Sequence, residues 1–237
     1  MKKRSPDYDC KTCFLCVNCL PEWIPAIKAN KKNIRFKKGD RIITEGEPMQ
    51  GMYFVNEGIV KVHKQWGSEK ELIIRFAKSG DIFGHRGLGK QLIYPISATA
   101  LEPVTACYFS NEFFTSSLKV NTDFTYKLLL FYAAELQESE KRMRNLAHMQ
   151  VKGRVANALL QLEEKFGVQE DGSIQLNISR QDLASYVGTT YETVFRILSD
   201  FAKENAIETP AKAIKIINKE FLTQLSREED KPTENPY

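Results

Sequence analysis

No run of apolar residues in this 237-residue chain approaches the roughly 20 needed to span a bilayer, so no membrane segment is expected. The opening, Met1 to Arg4 followed by Ser-Pro-Asp, lacks the apolar stretch of a secretory signal, and a cytoplasmic protein is the expectation. Histidine is scarce. His63, His85 and His148 are all there is, and none stands in a nucleophile–base pattern, so catalysis is not expected. Excess charge is small too: the net +4 is compatible with nucleic acid, but affinity for phosphate then has to come from a few placed residues. Apolar residues are plentiful, and at 42% of the chain they can build one large core or two small ones.

Cysteine is rare and unevenly placed. Of five, Cys10, Cys13, Cys16 and Cys19 fall in one short run, and Cys107 stands alone in an expected strand. Thiols this close together in a reducing compartment point to a soft metal or an iron–sulfur centre rather than to disulfides. Zinc usually takes its thiolates from two separated pairs, which one short run supplies with difficulty. Three readings stay open: an iron–sulfur centre, bound zinc, or reduced thiols with Cys107 a small buried hydrophobe.

After an expected linker over residues 21–30, short β-rich segments follow. They are Ile34-Arg35-Phe36, Arg41-Ile42-Ile43, Met52-Tyr53-Phe54-Val55, Ile59-Val60-Lys61-Val62, Leu72 to Phe76 and Thr105 to Phe109, with Gly39, Gly46, Gly58 and Gly80 marking turns. Such short strands on regular turns suggest a rolled antiparallel sheet. From residue 123 the pattern becomes helical. Leu129, Tyr132, Leu136, Ser139, Met143 and Leu146 recur by three and four, the seam of a two-stranded coiled coil with a polar gap at Ser139, while Leu128, Leu130 and Phe131 are expected to pack on the sheet. Lys152 and Gly153 are read as a hinge, and Val155, Leu159, Leu162 and Phe166 as one face of a further helix. Strands around Pro210 suggest a wing, and residues 227–237 a disordered tail.

Between that helix and the wing lie two shorter helical patterns. Leu183, Ala184 and Val187 form one apolar face, Gly188 a turn, and Val194, Ile197, Leu198 and Phe201 a second face, with Ser179 and Thr189 or Thr190 placed as N-caps. Tyr191, Glu192, Phe195 and Arg196 are left on the opposite side. In the DNA major groove a carboxylate accepts from cytosine N4 and a guanidinium donates to guanine O6 and N7, so Glu192 and Arg196, one turn apart, suit G·C pairs. A plain surface ion pair on an amphipathic helix is the alternative.

Ser179-Arg180-Gln181-Asp182-Leu183 through Gly188, followed by Glu192-Thr193-Val194-Phe195-Arg196-Ile197-Leu198, resembles the helix-turn-helix of the cAMP receptor protein and FNR (CRP/FNR) family of bacterial transcription regulators. The resemblance extends over nearly the whole chain. It implies an α+β protein with a cyclic-nucleotide-binding-like β-roll, a long dimerisation helix and a C-terminal winged helix-turn-helix. Such a protein acts as a homodimer on double-stranded DNA, with RNA polymerase as its protein partner. Glu192 and Arg196 would read bases beside Tyr191 and Phe195, while Arg180, Gln181 and Thr190 would meet phosphates. Tyr191 stands where cAMP receptor proteins have arginine, which favours a TTGA-like half-site over TGTGA. Phe195 is unusual at a reading position; contact with a thymine methyl and simple packing are both open.

FNR-type members hold a [4Fe-4S] cluster on three N-terminal cysteines and a distant fourth after an Ala-Leu-Glu stretch. Cys10, Cys13 and Cys19 reproduce that spacing, and Cys107 follows Ala100-Leu101-Glu102, so the resemblance implies these four as ligands, with Cys16 surplus or a substitute. The β-roll likeness rests on Gly46-Glu47 and on Phe54 to Val62. Nucleotide chemistry is missing, because the family's Gly-Glu is Gly84-His85 and its Arg-Ser-Ala is Ile96-Ser97-Ala98. A buried phosphate without its arginine costs on the order of several kcal/mol, so cAMP is not expected. The implied domains are residues 1–30, cysteine-rich; 31–122, sensor roll; 123–150, dimer helix; 151–226, winged helix; and 227–237, tail. Rival readings are a regulator answering to zinc or another small effector, an iron–sulfur electron carrier, and a cyclic-nucleotide regulatory subunit without DNA binding.

Overall fold

The structure, a computed structural model, describes residues 13–67, 70–211 and 213–227; Cys10 and residues 228–237 of the expected tail lie outside them. The chain divides into two units, residues 1–136 and 137–237.

The first unit begins with helix α1 (Phe14–Asn18), a 3-10 turn (Pro21–Trp23) and helix α2 (Ile24–Asn30). The expected linker is therefore helical. Pro21 opens the 3-10 turn, where a missing N–H costs nothing, and the fully buried Ile27 anchors α2. Trp23 stacks on Phe113 at 6.1 Å and donates its indole N–H to Ser117 Oγ at 2.9 Å, and Phe14 packs against Phe124 and Phe131. The cysteine-rich segment is thus tied down by ordinary packing.

Eight strands follow: β1 (Lys32–Phe36), β2 (Arg41–Ile43), β3 (Gly51–Glu57), β4 (Val60–Trp66), β5 (Lys70–Ala77), β6 (Ile82–Phe83), β7 (Ser97–Ala100) and β8 (Val104–Ser110). They form two four-stranded antiparallel sheets, ordered β1-β8-β3-β6 and β2-β7-β4-β5. The core they build includes Phe54, Phe83 and Phe109, all fully buried. At Gly58, which turns β3 into β4 with φ at 86°, a Cβ would fall 2.3 Å from the Pro103 carbonyl oxygen, so only glycine fits. The sequence reading passed over β6 and β7. The first is two residues long, and the second, Ser-Ala-Thr-Ala, alternates but with small side chains that give little strand signal; both are recruited by the strands beside them.

Helix α3 (Asn111–Val120) leads into α4 (Thr122–His148). Phe124 and Leu128 bury themselves in the first unit's core and Phe131 packs against it, but Leu130 is exposed rather than packed as expected. In the second unit, α5 (Val151–Phe166) is followed by α6 (Arg180–Val187), α7 (Tyr191–Lys203), strands β9 (Ile207–Glu208) and β10 (Lys215–Ile216), and α8 (Lys219–Arg227). The break after α4 is at Met149 and Gln150, not at Lys152 and Gly153. Gly153 sits buried in the first turn of α5, where a Cβ would lie 2.9 Å from the Leu225 carbonyl oxygen of α8, a helix the sequence reading missed. Its task is close packing rather than bending.

Candidate nucleic-acid interface

Each helix of the α6–α7 pair starts on its own cap. Ser179 Oγ accepts from Asp182 N–H at 2.9 Å and donates to the Asp182 carboxylate at 2.6 Å; Thr190 Oγ1 accepts from Thr193 N–H at 3.3 Å. Gly188, at φ 77° and ψ 50°, closes α6 in the left-handed region and sets the elbow. Arg154 of α5 ties that elbow, donating to the carbonyl oxygens of Val187, Gly188 and Met149 at 3.2, 3.3 and 2.7 Å. Arg142 of α4 donates to Tyr186 O at 2.8 Å and lies over the Tyr186 ring. Neither arginine was singled out from the sequence. A cation satisfying the last carbonyls of a helix acts across tens of residues and leaves no local pattern.

Helix α7 buries Val194, Ile197, Leu198 and Phe201, at about 1.5–3 kcal/mol each, and this fixes which side faces outward. Tyr191, Glu192, Phe195 and Arg196 are all exposed. Among the described residues neither Glu192 nor Arg196 has an ion-pair partner, so the plain surface pair of the alternative reading is absent. The Tyr191 and Phe195 rings stack at 6.2 Å and 18°. Beside them a cavity of about 620 Å³ is lined by Ser179, Arg180 and Gln181 from the start of α6, by Tyr191, Phe195 and Ser199, and by Thr209 from the end of β9. Residues chosen separately on two helices therefore line one concavity. Arg180 is half-buried there, and burial pulls its pKa down from the usual value. Thr190 is exposed at the foot of α7. Strands β9 and β10 pair Ile207 with Ile216 and Glu208 with Lys215, where the wing was expected.

In the first unit Cys13, Cys16, Cys19 and Cys107 are all buried free thiols. Cys107 accepts from the Asn56 side chain at 3.1 Å and lies 3.2 Å from Asn33 Oδ1. It is hydrogen-bonded to Cys13, and that bond, then burial, pushes its pKa up. Cys13 is favoured as a thiolate by Cys107, but its bond to Cys16 and its burial outweigh this and push it up to about 12. Burial and the neighbouring Cys13 raise Cys19 to about 12. Cys16, surplus in the family spacing, is thus a direct neighbour of Cys13. Among the described residues no three histidine, cysteine or acidic side chains are already arranged around a metal position.

A charged cluster missed in the sequence lies where the roll meets α4. Glu135 of α4 accepts from Arg86 at 2.8 Å and lies 3.7 Å from both Arg75 Nε and His85 Nε2. His85, 2% exposed, packs edge-on to Phe131 and Tyr132, and burial pushes its pKa down. Tyr132, placed in the dimer seam by spacing, instead turns inward and donates to His85 O at 2.6 Å. Leu129, Leu136, Met143 and Leu146 of that seam are exposed. No described helix is long and apolar enough to cross a membrane.

Known proteins show the same architecture. Residues 33–121 match the cyclic nucleotide-binding domain and residues 153–225 the Crp-like helix-turn-helix domain. The cAMP-activated global transcriptional regulator CRP of Pasteurella multocida is 30% identical over 183 residues, covering 76% of this chain and 87% of its own. The CRP-like cAMP-activated global transcriptional regulator of Mycobacterium tuberculosis is 28% identical over 209 residues, 87% of this chain and 93% of that protein. Among solved structures, FixK2 of Bradyrhizobium japonicum matches with a TM-score of 0.74 and 26% identity over 82% of this chain and 96% of that one. The Pasteurella and Mycobacterium relatives are transcriptional regulators and not enzymes, and with two family domains in tandem and an outward-facing reading helix, this chain belongs to the CRP/FNR family of DNA-binding transcription regulators.

Proposed function

We propose that the protein acts as a homodimer on a palindromic DNA site with TTGA-like half-sites, recruits RNA polymerase, and is switched through its cysteine-rich segment. The observation that carries the DNA part is the outward acid and base of α7, Glu192 and Arg196, unpaired with each other and on the same exposed face as Tyr191 and Phe195. Two-fold symmetry spaces the half-sites about one helical turn, roughly 34 Å, apart. A [4Fe-4S] cluster is the resident group that the thiols fit best. Four buried free thiols come from α1 with its two caps and from β8, and Cys13 neighbours Cys16, Cys19 and Cys107, so a soft cationic centre there would offset the crowding of thiolates that burial alone disfavours. Cys13, Cys19 and Cys107 would hold it with Cys10, and Cys16 beside Cys13 is the substitute. When bound, the cluster supplies a link that oxygen or nitric oxide breaks.

The chain's own part is anchoring. Phe14, Leu20 and Trp23 already fasten the segment to α3 and α4, the Leu20 N–H reaching Asn121 Oδ1 at 2.9 Å, so a change at the thiols reaches the long helix directly. Cyclic AMP is not a ligand on this reading. Ser97 is already engaged by Arg41 and by Glu45 N–H, and Arg75 and Arg86 share the one carboxylate of Glu135.

The test is purification under nitrogen with iron, sulfide and zinc quantified beside a visible spectrum, together with selection from random duplexes. Iron and sulfide near four each per chain, a broad visible band bleached by air, and a TTGA-like palindrome are expected. Zinc alone, or no metal with DNA affinity unaltered in Cys107→Ala, removes the switch and leaves the regulator. Micromolar saturation by cAMP in calorimetry overturns the ligand statement.

A further inference from the structure

The outer face of α7 carries two columns rather than one. Tyr191 and Phe195 are one turn apart, as are Glu192 and Arg196, and the columns run side by side along the helix. The aromatic column is 42% and 56% exposed, although large rings on a solvated face gain nothing by being there. Packing does not explain them, since the core stripe of Val194, Ile197, Leu198 and Phe201 is complete without them. Their stacking at 6.2 Å and 18° makes a flat apolar strip and fixes both rings before anything binds. On one flank of that strip are the acid and base, and on the other the cavity with Arg180 and Gln181.

What enters such a face has to present polar base edges to one column and an apolar surface to the other, with phosphates at the margin. In the major groove the only apolar group on a base edge is the C5-methyl of thymine. We propose that Tyr191 and Phe195 are specificity-determining residues that read thymine methyls, so that each half-site carries thymine on the strand facing the aromatic column, next to the G·C pair read by Glu192 and Arg196. The inference rests on the DNA-binding reading above and adds the chemical group recognised. A turn of α7 rises about 5.4 Å and a base step about 3.4 Å, so the two rings span one or two consecutive thymines. The charged column distinguishes G·C from its alternatives by hydrogen bonding. The aromatic column distinguishes thymine from cytosine, and from uracil, by one methyl.

Uracil isolates that methyl. Pairing is unchanged and the edge loses only the apolar group. The full-length protein is titrated against its selected duplex with each thymine replaced in turn by deoxyuridine. At one or two positions per half-site affinity is expected to fall about fourfold, the value of one buried methyl. With Phe195→Ser or Tyr191→Ser that sensitivity is expected to vanish, while dependence on the G·C pair remains. Both side chains are exposed, so an unchanged melting temperature shows the variants folded. Uracil tolerated at every thymine, or an equal penalty in wild type and both serine variants, overturns the methyl reading and leaves sequence-specific binding intact. Selected half-sites with no thymine beside the G·C pair also overturn it. Failure to bind any sequence preferentially overturns both this inference and the reading beneath it.

Discussion

Burial opposes the ionisation of Glu135, yet the neighbouring His85 and the charges of Arg75 and Arg86 win and hold its carboxyl well below the usual range. Removing that charge strands two guanidiniums, one of them almost wholly buried, so Glu135→Gln should destabilise the first unit by about 2 kcal/mol, read as a lower urea midpoint. Glu71 offers a cleaner pH test. The bond with His63, then Lys61, outweighs burial and brings it down to about 2. A depressed pKa stabilises fully above the ordinary carboxylate value, and the benefit is lost as pH falls towards 2. Glu71 is partly exposed, so screening limits its contribution to on the order of 1 kcal/mol. Urea midpoints should therefore fall between roughly pH 4.3 and 2, and more shallowly in Glu71→Gln; parallel curves would show the pair to be inert. The sequence was legible here only in part. Ile96 in place of an arginine is visible in one line of text, whereas Arg75, Arg86 and Glu135 meet only once β5, the turn after β6 and α4 are packed.

Local signals survived best at the scale of elements. Ser179, Gly188 and Thr190 lie within a few residues of the groups they satisfy; Ser179 caps and Gly188 turns the chain as its sequence suggests, and of Thr189 and Thr190 the second is the cap. Ser179→Ala should lower the second unit's stability by about 1 kcal/mol. Gly188→Ala should cost about the same through backbone strain at φ 77°. DNA affinity should suffer more from the second, because the elbow aims α7; equal losses would show that the elbow only holds the fold. Non-local signals misled. Pro21 suggested a linker, but what makes residues 24–30 helical is Ile27 and the cover supplied by the core of the roll. Gly153 suggested a hinge, because a glycine needed for contact with α8 and one needed for bending look alike until α8 is in place.

For the whole molecule the decisive surface is the outer side of α4. Leu129 is 62% exposed, Leu136, seven residues on, 60%, and Met143, seven further, 59%. A large apolar residue repeating every seven positions, all left in water, is the signature of a helix that pairs with another. The second row is smaller than the spacing of Tyr132 and Ser139 suggested. Tyr132 is drawn inward to His85, and exposed Ala133, Glu140 and Ala147 lie one turn beyond each large residue. In the proposed homodimer, helices meeting over alanine would approach closely but bury little, and Glu140 of each chain would face its symmetry mate, a pairing weak enough for the proposed switch to govern. Leu129→Glu with Leu136→Glu should yield monomers by sedimentation at micromolar concentration. The melting temperature should hardly change, because the positions are exposed. Affinity for the full palindrome should drop by about 100-fold or more through loss of the linked second site, while affinity for an isolated half-site stays constant. If the variant still sediments as a dimer, the association runs through another surface, and control by α4 fails with it.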